Sequence, residues 1–117
     1  MKRRSKSYQE GLHKRLQDPI YAAEYLKVMI EESDQGFLLA LRDVAEAREG
    51  LGKLAEIANV NRENLYRMLS ETGNPRLSSL GAVLQALGLR LSIIPLTLEQ
   101  RPDEDNPHQD QNRSTSD

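Results

Sequence analysis

Apolar residues recur at helical spacing in five stretches of this chain. In the first, Ala22, Tyr25, Leu26 and Met29 follow Asp18-Pro19, where the aspartate suits an N-cap and the proline a first helical turn. Ser33-Asp34 offers a second cap, followed by the amphipathic set Phe37, Leu38, Leu41, Val44 and Ala45 and a stop at Gly50. Two short helices come next, roughly 52–58 and 62–70, with apolar positions Leu54, Ala55, Ala58, Val60, Leu65 and Met68. Thr72-Gly73-Asn74-Pro75 marks a turn. Ser78 is placed to cap a fifth helix, with Leu80, Val83, Leu84 and Leu87 on its apolar face and Gly88 as its stop. The run LRLSIIPL, Leu89 to Leu96, alternates at its start and is rich in Leu and Ile. It reads as a short strand closed by Pro95.

The ends of the chain lack this patterning. Residues 1–16 are polar and basic with little periodicity, and read as an arm or a frayed helix. From Glu99 onward the chain is Asp, Glu, Asn, Gln, Pro, Ser and similar residues, which cannot bury a core. The expected organisation is a basic arm over 1–16, one helical domain with a terminal strand over 17–96, and a disordered acidic tail over 97–117. The fold class is all-α.

Composition narrows the class further. A chain of 117 residues with 38% hydrophobic content supports one modest core, built from aliphatic side chains because there are four Tyr, one Phe and no Trp. Without cysteine there is neither a disulfide framework nor a Cys-based zinc site. No apolar run reaches the roughly 18 residues of a bilayer span, and no apolar stretch follows the basic start as in a secretory signal. A cytoplasmic protein with no membrane association is expected. The net charge of −2 conceals an uneven distribution: +5 over 1–15, −5 over 18–49, +2 over 52–90 and −4 over 99–117. The centre is mildly basic and its flanks are acidic.

The two short helices carry the most specific signal. A helix-turn-helix unit needs a small residue where its helices cross, a turn residue tolerant of positive φ, and apolar residues at set offsets. Here Ala55 is the small residue, Asn59 the turn residue and Asn61 a cap for the second helix, with Leu54, Ala58, Val60, Leu65 and Met68 at the apolar offsets. An ordinary helical hairpin with a solvated face would explain the pattern too. The outer face argues against that, since Asn61, Arg62, Glu63, Tyr66 and Arg67 are the hydrogen-bonding types that read base edges near the start of a major-groove helix.

The segments DPIYAAEYL, ALRDVAEARE and LAEIANVNRENLYRMLSETGNPRLSSLGAVLQALGLRLSI resemble the addiction-module antidote family of Xre/Cro-like proteins, the antitoxin side of HigBA-type pairs. The resemblance covers about two thirds of the chain, residues 18–96. It implies a five-helix Cro-like fold, a homodimer on double-stranded operator DNA, a RelE/HigB-like toxin partner and repression of the protein's own operon. Two departures stand out: the turn residue is Asn59 where glycine is commoner, and the tail from 99 has no counterpart. Carried over by position, Asn61, Arg62, Glu63 and Arg67 would read bases. Arg62 or Arg67 would suit guanine and Glu63 the cytosine amine. Lys53, Asn74 and Arg76 would contact the backbone. Tyr66 would touch phosphate or a thymine methyl, or pack half-buried at the helix junction.

Two further surfaces are expected. The unpaired edge of the strand, with Leu89, Leu91, Ile93 and Ile94, would invite a second copy. Glu24, Glu31, Glu32, Asp43 and Glu46 in the acidic block could face an RNA-binding, hence basic, toxin, or simply keep the protein soluble. Enzyme chemistry has no support. His13 and His108 lie in opposite tails, the carboxylate clusters are neighbours in sequence only, and no phosphate loop, nucleophile or metal motif occurs, so no cofactor is expected. Two alternatives stay open: a phage-type or other Cro-like repressor without a toxin, and an interaction module that does not bind DNA.

Overall fold

The structure is a computed structural model and describes residues 6–102. It contains six helices: α1 (Lys6–Arg15), α2 (Pro19–Glu32), α3 (Asp34–Arg48), α4 (Leu51–Ala58), α5 (Arg62–Met68) and α6 (Leu77–Ala86). Local chemistry sets most of their ends. The Asp18 carboxylate accepts the Ile20 amide at 2.9 Å, and Pro19 opens α2 where a missing N–H costs nothing. One residue on from α2, the Ser33 hydroxyl accepts the Gly36 amide at 2.8 Å and starts α3. That single-residue connection folds α3 back along α2, and the Tyr25 hydroxyl donates to Asp43 across the pair at 2.8 Å.

At the end of α6, Gly88 takes φ +79°, which frees the Leu89 amide to reach the Leu84 carbonyl and the Gly88 amide to reach Gln85. These paired bonds satisfy carbonyls that the helix end would otherwise leave open. The core is wholly apolar among the described residues, with Leu12, Leu16, Leu41, Leu54, Leu65, Leu69, Val44 and Val83 as its most enclosed large side chains. Arg48 fastens its edge: Nε donates to the Leu16 carbonyl at 3.1 Å and a terminal nitrogen donates to Leu87 at 2.9 Å. One cation thereby closes the carbonyl ends that follow both α1 and α6.

Three sequence expectations are corrected. The count is six helices, not five, because residues 6–15 of the expected arm form α1, which packs on α3. Leu12 and Leu16, one turn apart, are completely buried, yet two apolar residues in so polar a segment make too sparse a pattern to register as periodic. No strand forms over Leu89–Leu96, since a strand exists only through a ladder and no second extended segment lies beside it among the described residues. The last helix begins at Leu77 with Arg76 at its N-cap and no side-chain cap, so the cap lies two residues ahead of the expected Ser78. Residues 1–5 and 103–117, with most of the expected acidic tail, lie outside the described residues, and Thr97–Arg101 form a turn.

Candidate nucleic-acid interface

The α4–α5 junction is built around Asn59, the one described non-glycine residue with positive φ, at φ 58° and ψ 48°. This left-handed residue turns the chain so that the Val60 amide bonds the Ala55 carbonyl at 3.0 Å and the Asn59 amide bonds Glu56 at 3.2 Å. Asn61 then caps α5, its side-chain oxygen accepting the amides of Glu63 at 2.8 Å and Asn64 at 3.2 Å. Leu65 and, just past the end of α5, Leu69 anchor it in the core, and Ala55 of α4 is buried. The turn residue and the cap expected from sequence occupy those places, and Ala55, expected at the crossing, is buried.

With its inner face pinned, α5 presents Asn61, Arg62, Glu63, Asn64, Tyr66 and Arg67 to solvent. The side chains are partly organised already. The Arg62 guanidinium lies 5.7 Å from the centre of the Tyr66 ring and donates to its hydroxyl at 3.3 Å. Arg42, from α3, approaches the same ring at 5.9 Å, so two guanidinium groups lie within cation–π range of Tyr66. Arg62 also passes over α4 at Gly52, where a Cβ would meet its Cζ at 3.5 Å, and Lys53, the next residue of α4, is exposed. The Arg67 guanidinium donates to the Asn64 side chain at 3.3 Å.

Behind α5 the chain turns tightly: a side chain at Gly73 would overlap the Met68 carbonyl, so only glycine fits. This turn leads to Asn74 and Arg76, both exposed. Arg62, Glu63, Tyr66 and Arg67 thus share one short helix with Asn61 at its N-cap, Lys53 lies in the first turn of α4, and Asn74 and Arg76 lie on the loop that follows α5. Sequence reasoning missed two neighbours of this face. Arg42 was submerged in an acidic block, and only the packing of α3 near α5 brings it to Tyr66. Asn64 could have been found, since it lies within the outward run of α5 and is of the adenine-reading type.

The other expected surfaces are less unified. Of the acidic residues, Glu24 pairs with Lys27 at 3.1 Å and Glu46 with Arg42 at 3.5 Å, while Asp43 accepts from Tyr25. Glu31 and Glu32 are exposed at the end of α2 with no ion pair among the described residues. Leu89 is half-buried against the core, whereas Leu91, Ile93 and Ile94 are exposed. Among the described residues no group of His, Asp or Glu side chains is placed to hold a metal, and no helix is long and apolar enough to cross a membrane.

Residues 8–95 match the model of a protein family described as "probable addiction module antidote protein". A Haemophilus influenzae protein described as "uncharacterized protein" is 37% identical over 70 residues, covering 59% of this chain and 71% of that one. No solved structure matches the chain.

Proposed function

This chain belongs to the addiction-module antidote family, and from that premise we propose that it is a sequence-specific DNA-binding repressor that neutralises a toxin and controls its own operon. An antidote implies a toxin partner of some kind. The finer reading assigns that partner to the RelE/HigB class and the DNA-binding unit to α4 and α5, a Cro-like helix-turn-helix. The observation that carries it is the outer face of α5, where a capped helix held on the core by Leu65 and Leu69 turns Asn61, Arg62, Glu63 and Arg67 outward together. Those four are the base-reading side chains, and the first turns of such a helix are the part that enters a major groove. Lys53, Asn74 and Arg76 hold the phosphate backbone, and Tyr66, braced by Arg62 and Arg42, orients the arginine beside it.

A lone unit of this size makes few base contacts, so specificity calls for a homodimer on two half-sites about one helical turn apart. Family membership favours this reading over a phage-type repressor without a toxin. Two experiments test it. The protein should shift a duplex of its own promoter and leave a shuffled duplex of equal length unshifted at physiological salt. Co-expression with the neighbouring small open reading frame should relieve growth arrest and yield a co-purifying complex. Equal shifts of both duplexes, or a neighbour that is neither toxic nor retained, would sink the corresponding half of the proposal.

A further inference from the structure

Between the turn that closes α6 and the turn at Thr97–Arg101, the stretch Arg90–Leu96 is exposed and largely aliphatic. Ile93 is 98% exposed and Ile94 76%, with Leu91, Leu96 and Leu98 also open to solvent. From Arg90 to Leu96 the backbone runs without helix, turn or bend, and none of its amides or carbonyls bonds to a described residue. One side of this run borders a groove of about 450 Å³, lined by Leu26, Ile30, Phe37, Leu84, Leu89 and Ile94 among others. No residue of α4 or α5 lines it. Open backbone groups flanked by aliphatic side chains form a template for another strand.

The chain's own ends do not suit that template. Residues 1–5 are basic and residues 103–117 are acidic and polar, and neither offers a row of aliphatic side chains. The segment does suit itself. We propose that Arg90–Leu96 pairs antiparallel with the same segment of a second copy, Ile93 lying opposite the partner's Ile93.

Proline and symmetry set this register. A two-fold axis requires one residue to face its own copy. Pro95 has no N–H, so it belongs in a non-hydrogen-bonded pair, and the two pair types alternate along an antiparallel ladder. Ile93, two residues away, shares Pro95's type, while Ser92 and Ile94 fall in the bonded pairs. An axis at Ile93 is also the midpoint of the unbonded run, so every residue of the run finds a mate. Pro95 then faces the partner's Leu91, Ile94 the partner's Ser92, and Leu96 the partner's Arg90. No like charges meet. Moving the axis to Ser92 would instead draw in Gly88 and Leu89, whose amides are already committed to the end of α6. The pairing deepens the proposed function by supplying the dimer that two half-sites require, and it leaves α5 free.

The absence of cysteine makes a clean test possible. In the full-length chain, Ile93→Cys should form a disulfide-linked dimer almost completely under mild oxidation, because side chains of a non-hydrogen-bonded pair lie closest. Leu98→Cys, at a similarly exposed position, should stay uncrosslinked, since its mate would lie about 33 Å away along the ladder. Light scattering should show a dimer for the wild type and a monomer for Ile93→Asp at the same concentration, with helical circular dichroism retained. If Ile93→Asp fails to fold, the cysteine pair still decides the matter. A monomeric wild type would overturn the proposal, as would a dimer in which Leu98→Cys crosslinks as readily as Ile93→Cys. A monomer that binds the promoter overturns the ladder alone, and a crosslinked dimer that ignores the promoter overturns only the DNA reading.

Discussion

At the scale of single residues, two positions hold more of the architecture than their size suggests. Asn59 is the chain's solution to a left-handed turn without glycine. Asn59→Gly should be neutral or slightly stabilising because it removes a Cβ from a region unfavourable to it, whereas Asn59→Val should cost about 1–3 kcal/mol. Thermal melts of the two variants check this, and equal midpoints would contradict the role given to the turn. Asn59 was legible in sequence because its neighbours Ala55, Val60 and Leu65 occupy the offsets that such a turn demands. Arg48 was not legible. It reads as one more charge in an acidic stretch, and its two carbonyl partners, Leu16 and Leu87, lie 32 and 39 residues away. Arg48→Met should destabilise the fold by about 2–3 kcal/mol, since it leaves both carbonyls without a charged donor. Chemical denaturation would show this as a lower midpoint, and an unchanged midpoint would mean that water replaces the guanidinium at no cost.

At the scale of elements, sequence and structure agree where caps and periodicity coincide. Asp18, Ser33 and Asn61 all bond the amides their positions suggested, and the apolar sets of α2, α3 and α5 face the core. They part where burial comes from sparse residues or where an extended segment finds no ladder. In α1 a polar decapeptide is helical because Leu12 and the following Leu16 reach the core. Leu12→Ala should therefore cost about 2–5 kcal/mol, the range for a cavity in a closed site, while a true arm would tolerate it. Urea titration distinguishes the two. The segment after α6 shows the opposite mismatch. Its strand-like composition is real, but one chain offers it no ladder.

At the scale of the whole molecule, charge separates the surfaces. The arginines of α5 and the loop after it are exposed, while α2 and α3 carry the acidic residues Glu24, Glu31, Glu32, Asp34, Asp43 and Glu46, of which Glu24 and Glu46 already pair with basic neighbours. That pairing concentrates the expected attraction for a basic toxin on Glu31 and Glu32. Replacing both by Lys should slow toxin association at low salt and leave promoter affinity level or higher, as stopped-flow mixing with the purified neighbour would record. An unchanged rate would leave these carboxylates as solubility groups. The central claim, that α5 reads bases, is tested most directly by fluorescence anisotropy with promoter and shuffled duplexes across a salt series. Arg62→Ala or Arg67→Ala should weaken promoter binding by about 1–3 kcal/mol and narrow its margin over the shuffled duplex, while Lys53→Ala should weaken both alike and flatten the salt dependence. Wild-type promoter affinity in all three variants would contradict it.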